Sequence, residues 1–379
     1  MSASFLLSFS YNEEKPKWGK VMKIQIVKGQ MKEKKKRILK TGMLLEAALF
    51  LVLGIFYLSD YRLNKRSIET TADGETIKWV DFNVSYEALN RAYEYDVDTY
   101  GEKIHLNWIE LLAYTAAING GTFGSDAVPD MKDLAEKILA GDTTMKKASA
   151  DLKYYPYYLE AYTAVLAEYV GEYEMQEKEG GEYVKMYGIK AFLPIAKDFP
   201  YSDYDDFGVS RSYGYKREHL GHDMMGQIGT PIVAVESGTV EAIGWNQYGG
   251  WRIGIRSYDK KRYYYYAHLR QNYPYQEDLE VGSDVTAGDV IGYMGHTGYS
   301  KTENVNNIDE VHLHFGIELI FDEERRESGN EIWIDCYNLT KFLYKNRSAV
   351  HKVEGTKRWE RVLDMKEVKK NADIDSKEK

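Results

Sequence analysis

Apolar positions follow three different periods along this chain. Met43–Leu58 reads MLLEAALFLVLGIFYL, an almost unbroken apolar run. Thr41–Leu58 spans 18 residues, roughly 27 Å of helix against a hydrocarbon core of ~30 Å. This predicts a transmembrane helix over 41–59. Its one charge, Glu46, stands near the start of the run, where it can reach the interface. The next residues, SDYRLNKRS, carry no small-x-small cleavage pattern, which favours a retained anchor over a signal peptide.

From 80 to 176 the pattern turns helical. Ser85 can cap a helix from Tyr86 that carries Ala88, Leu89, Ala92 and Tyr93 on one side. Leu106, Ile109, Leu112, Ala113 and Ala116 recur at i, i+3, i+4 spacing over a helix at 107–118, ended by Asn119-Gly120-Gly121. Short helices are expected at 130–139 and 143–152, and a longer one at 157–174. Residues 177–200, with Gly180-Gly181, Pro194 and Pro200, read as a linker. From about 205 onward, short β-rich runs alternate with glycine punctuation: 231–245, 251–258, 262–269, 289–295 and 311–319. The expected class is α+β multidomain. A basic tail (1–40) leads to the anchor (41–59). An all-α domain (80–176), the linker (177–200), an all-β domain (201–345) and a solvated tail (346–379) follow.

Charge sets the orientation of this layout. The net charge is −9, but residues 1–40 hold 11 basic and 3 acidic residues (+8), which leaves −17 for the rest. The cluster KEKKKRILK directly before the apolar run places the N-terminus in the cytoplasm and the later residues outside a cell membrane crossed once. The acidic body argues against a nucleic-acid partner. Cys336 is the single cysteine, so neither an intrachain disulfide nor a cysteine-based zinc site is available.

Histidine is unevenly distributed. Of eight, six lie between His219 and His314. His219 and Asp223 stand four residues apart. On a strand, His312 and His314 share a face while Leu313 turns the other way. One member of that pair, with His219 and Asp223, makes an N/O donor set of the kind that holds catalytic zinc. Histidines satisfied in the core or on the surface are the alternative reading.

The wider pattern resembles the lysostaphin-type, LytM-like zinc endopeptidases. These carry H-x-G-x-D, Y-x-H-L, a glycine-rich V-x-x-G-x-x-I-G-x-x-G-x-T-G and H-x-H. Here those motifs read His219–Asp223, Tyr266–Leu269, Val285–Gly298 and His312–His314. Phe207-Gly208 with Arg211 is similar to the family's F-G-x-x-R strand, and Gly229–Ala234 to its G-T-P-V-x-A step. The resemblance covers roughly 201–340. It implies a β-sandwich or barrel of the duplicated hybrid motif type, with His219, Asp223 and His314 as zinc ligands and His268 and His312 as unligated catalytic histidines. His222 and His296 fall where the family is variable. The implied activity is hydrolysis of amide bonds in peptidoglycan peptides by zinc-activated water. The alternative is a non-catalytic wall-binding or scaffold protein. Leu111–Gly121 faintly looks like the helix that carries the catalytic Glu of bacterial lysozyme-like domains, but Asn119 and Gly120 replace the carboxyl group. A packing, positioning or wall-binding role is therefore expected for the helical region. Blockage of the groove by that region or the linker is a further alternative.

Overall fold

The structure, a computed structural model, describes residues 80–212, 216–323 and 331–368. The expected basic tail and membrane helix lie outside these residues. Among the described residues, no helix is long and apolar enough to cross a membrane. All of them belong to one compact unit, Arg66–Lys379.

The helical layer follows from caps and apolar stripes. Helix α1 (Tyr86–Asp98) starts where the Ser85 hydroxyl accepts the Ala88 N–H at 3.2 Å. Helix α2 (Trp108–Ile118) starts where Asn107 Oδ1 accepts the N–H groups of Ile109 and Glu110. It is buried on most sides, through Trp108, Leu111, Leu112, Thr115 and Ala116, as expected of a helix enclosed by others. Helices α3 (Ala127–Leu139), α4 (Met145–Ala148) and α5 (Tyr155–Leu166) complete the layer.

Two segments differ from the sequence-based expectation. The helix expected over 157–174 ends at Leu166, and Val170–Gln176 is strand β1. The expected linker contains strand β2 (Tyr183–Ile189), paired with β1 from Val170↔Ile189 to Gln176↔Tyr183. The far side of β1 pairs with β17 (Met365–Glu367), through Tyr173↔Glu367 and Met175↔Met365. The expected solvated tail is thus, as far as 368, partly sheet. The reason is non-local: a Tyr- and Val-containing run suits either structure, and partners far along the chain select the strand.

The β-region is built on one antiparallel sheet. Its strands are β3 (Ser202–Asp203), β6 (His222–Met225), β8 (Gly238–Asn246), β9 (Gly250–Ser257), β10 (Arg262–Ala267), β11 (Asp284–Val285) and β13 (His312–Leu319), in the order β11-β8-β9-β10-β13-β6-β3. A short strand, β14 (Ile332–Trp333), joins β13. Smaller ladders pair β7 (Pro231–Val233) with β12 (Val290–Tyr293), β4 (Ser210–Ser212) with β5 (Lys216–Glu218), and β15 (Val350–Lys352) with β16 (Trp359–Arg361). Along β10 the side chains alternate: Tyr264 and Tyr266 are fully buried in the core, and Tyr265 faces the other way, into a cleft.

Helices and sheet share one hydrophobic core. Leu89, Leu112 and Tyr162 belong to the same cluster as Tyr264, Phe315 and Ile317. Phe342, on helix α6 (Tyr337–Leu343), lies against Trp108 and Tyr93 with ring centroids 5.8 and 5.5 Å away. A buried polar node crosses the same boundary. Arg262, with no exposed surface, donates to the Glu236 carboxylate at 2.8 and 3.1 Å, to Asp259 at 2.8 Å and to the Ala164 carbonyl at the end of α5. Removing one partner of a buried pair leaves an uncompensated charge. Arg262→Met is therefore expected to lower unfolding stability by about 3–5 kcal/mol, and Arg262→Met with Glu236→Gln by less. Urea titrations of the two variants check this.

Candidate metal centre and active-site cleft

The centre begins with strand register. β6 and β13 pair antiparallel, with His314 opposite Asp223, Leu313 opposite Met224 and Phe315 opposite His222. Alternation then sorts the side chains. Leu313, Met224 and Phe315 enter the core, while His314 and Asp223 project together into the cleft. His222 takes the core side. There its Nδ1 is 2.9 Å from Thr340 Oγ1 and its Nε2 is 3.2 Å from Asp203 Oδ2.

His219 precedes β6. Its backbone N–H donates to the Val209 carbonyl, and its own carbonyl accepts from Gly208. Between His219 and β6 the chain crosses the His314 ring closely. A Cβ at Gly221 would lie 2.5 Å from His314 Cε1 and 2.6 Å from its Nε2, so only glycine fits. Three donor atoms converge: His219 Nε2 is 3.0 Å from Asp223 Oδ1 and 3.0 Å from His314 Nδ1, and the last two are 2.9 Å apart. Among the described residues this is the one group of histidine, cysteine and carboxylate donors placed to hold a metal ion.

A second layer orients the donors. Asp206 Oδ1 lies 3.1 Å from His219 Nδ1, and the Asp206 carbonyl lies 3.3 Å from it. This favours a proton on Nδ1 and a lone pair on Nε2. Arg211 Nη2 reaches both Asp206 Oδ2 and, at 3.3 Å, Asp223 Oδ2, which leaves Oδ1 facing the two imidazoles. Burial alone would raise the Asp223 carboxyl, but its close contacts with the His219 and His314 rings hold it far below the usual carboxylate range. Burial opposes charging of His219 too, yet the Asp223 and Asp206 carboxylates prevail and raise it. For His314, burial prevails and lowers it.

His268 and His312 line the same cleft, with ring centroids 4.7 Å apart. Their Nδ1 atoms face carbonyls: Thr297 O at 2.9 Å for His268 and Glu310 O at 2.9 Å for His312. A carbonyl can only accept, so Nδ1 carries the proton and Nε2 is left as the basic nitrogen. His312 Nε2 is 3.8 Å from Asp223 Oδ1. Burial, then the neighbouring His312 and His314, holds His268 well below the ordinary histidine range. Its backbone sits in the left-handed region, φ 61°. That conformation costs on the order of 1–3 kcal/mol and is held by His268 N–H donating to Gly249 O and by the His268 carbonyl accepting from Gly295.

The structure thus brings His219, Asp223, His314, His268 and His312 into one cleft of about 650 Å³. His296 stands apart, its Nδ1 2.6 Å from the Ile308 carbonyl. His105 is tied to buried Asp96 in the helical layer. The sequence reading did not single out Asp206 or Tyr299. The one local signal for Asp206 is its place directly before Phe207-Gly208. No cleft-lining residue comes from 80–176.

The chain is similar to several known proteins. Residues 217–328 match the model of peptidase family M23. The chain is 37% identical over 131 residues to the L-Ala--D-Glu endopeptidase of Bacillus subtilis, a match covering 34% of this chain and 38% of that protein. It is 30% identical over 159 residues to the peptidoglycan DD-endopeptidase ShyC of Vibrio cholerae, covering 41% of this chain and 31% of that one. The catalytic domain of the antimicrobial peptidase lysostaphin from Staphylococcus simulans aligns in structure over 37% of this chain and 92% of its own, at 30% identity and a TM-score of 0.29. The chain therefore spans about a third of the length of these two curated relatives. The three-donor centre and the paired rings of His268 and His312 lie inside the matched segment, and residues 217–328 of this chain belong to peptidase family M23.

Proposed function

We propose that this protein is a zinc-dependent endopeptidase that hydrolyses amide bonds in the peptides of peptidoglycan. The observation that carries the reading is the convergence of His219 Nε2, Asp223 Oδ1 and His314 Nδ1 within 3.0 Å of one another. The donors fit zinc. Bonds of about 2.0–2.2 Å at tetrahedral angles separate ligands by roughly 3.3–3.6 Å, so a small outward movement accommodates the ion. Two imidazoles and one carboxylate leave a fourth position open, as catalytic zinc requires. The names of the relatives support peptidoglycan as the substrate.

Zinc held there supplies Lewis acidity, to an attacking water and to the scissile carbonyl. The chain supplies the proton chemistry. His268 and His312 present basic Nε2 atoms to the cleft, where one accepts a proton from the attacking water and returns it to the leaving amine. The protonated imidazole, in a half-enclosed site, also stabilises the developing oxyanion. The Thr297 and Glu310 carbonyls keep both rings in the required tautomer. We further infer that 41–59 anchors the chain in a membrane with the peptidase outside, on the basis of the basic cluster followed by the apolar run.

Chelation with 1,10-phenanthroline is expected to stop peptide release from purified wall material, and stoichiometric zinc to restore it. His314→Ala is expected to lose both zinc and activity. His268→Ala and His312→Ala should retain zinc while losing about 10²–10⁴-fold in kcat. Full activity in a metal-free sample would overturn the reading. Asp206→Ala is expected to weaken zinc binding about 10–100-fold, since it removes the partner that orients a ligand histidine, as read by competition with a chromogenic chelator. Gly221→Ala should also weaken it, because the new methyl group displaces the His314 ring. Unchanged zinc affinity in both variants would contradict this account of the centre.

A further inference from the structure

The cleft does not end at the three-donor centre. A second arm, of about 1090 Å³, continues from His219 and His314 over the open face of the sheet, lined by Arg217, Arg252, Tyr263, Tyr265 and Trp333. Register fixes where Arg252 stands. Ala267 pairs with His314, and Tyr266 with Ile253, which puts Arg252 beside Ala267 on the same row of the sheet. Arg252 is thus two strand spacings from His314, roughly 10 Å.

Arg252 is half-buried, and its Nε is buried without a hydrogen-bond partner. Its guanidinium carbon lies 6.0 Å from the centre of the Tyr265 ring. Among the described residues it has no ion pair. Arg217, on the other wall, lies over the Tyr299 ring at 5.1 Å and donates to the Tyr299 hydroxyl, again with no acid paired to it. The third arginine of the cleft differs: Arg211 is neutralised by Asp206 and Asp223. Among the described residues, the acids that line the arm are Glu218, Glu318 and Glu331. Glu318 is four residues along β13 from His314, about 13 Å, opposite Tyr263 and Trp333.

A buried N–H without an acceptor is costly, and a planar guanidinium matches a carboxylate in a two-point contact. An aromatic floor with a cation at one row suits an extended peptide carrying one anionic group. We propose that Arg252, assisted by Arg217, forms a subsite for a carboxylate-bearing residue of the substrate, within about two or three residues of the scissile bond by strand spacing. This rests on the peptidase reading and adds the charge of the residue selected. Arg252 is a specificity residue; it does not touch the reacting atoms.

The test uses two peptides prepared from one muropeptide, one with its glutamyl carboxylate free and one with it amidated. The full chain is expected to turn over the free acid with kcat/KM about 10- to 100-fold higher, carried mainly by KM. Arg252→Gln is expected to bring the two peptides within about threefold, and Arg252→Lys to restore part of the preference. Affinity for the same pair is measured by calorimetry on the His268→Ala variant, which separates binding from turnover. Equal affinity and equal kcat/KM in the wild-type background, or a preference that survives Arg252→Gln, overturns the subsite. A clear preference in affinity with no hydrolysis of either peptide by the wild-type chain supports the subsite and overturns the peptidase reading instead.

Discussion

The antiparallel register between β6 and β13 is the constraint on which the centre depends. With Asp223 opposite His314, a carboxylate and an imidazole project from neighbouring strands into the same cleft. A slip of one residue would turn His314 into the core and Leu313 outward. The core prevents the slip. Leu313, Met224 and Phe315 are fully buried on the opposite face, so hydrophobic burial on one side of the sheet enforces donor geometry on the other. His222 obeys the same alternation, which is why a histidine adjacent in sequence to Asp223 serves the α6 side of the core instead.

Backbone carbonyls do much of the remaining positioning. The Asp206, Thr297 and Glu310 carbonyls each lie against the Nδ1 of a cleft histidine. Such acceptors cannot reverse their role, so the tautomers are set by the fold. The strain at His268, held in the left-handed region between Gly249 and Gly295, belongs to the same economy: a ring is aimed by a conformation that hydrogen bonds on both sides maintain. Gly221 acts by absence of a side chain, letting the chain just before β6 pass close over the His314 ring.

The helical layer supports the site from behind. It contributes no lining residue to the cleft, yet it shares the core with the sheet through Tyr162, Trp108 and Phe342. Polar links reinforce that union. Lys190 sits between Glu168 and Glu367 at 2.6 and 2.8 Å, and the β17–β1 pairing ties the far end of the described chain to the strand that follows α5. The geometry fits a packing role for the helical layer.

Much of the centre was legible in the sequence because its chemistry resides in side-chain types at short spacings. His219 and Asp223, four apart, and His312 and His314, two apart, state a donor set and a strand period before any coordinates are known. The caps of α1 and α2 were readable for the same reason, since Ser85 and Asn107 act on N–H groups two or three residues away. Tertiary structure alone decided that His222 takes the core side while Asp223 beside it faces the cleft, because that depends on which face of the sheet is buried. It also decided that 170–189 forms a hairpin and 365–367 its third strand, since β pairing between Tyr173 and Glu367 leaves no local trace. Asp206, Arg217 and Arg252 acquire their meaning from long-range proximity: a charge becomes a positioning or selecting group only when folding sets it beside an imidazole or leaves it in a cleft without a partner.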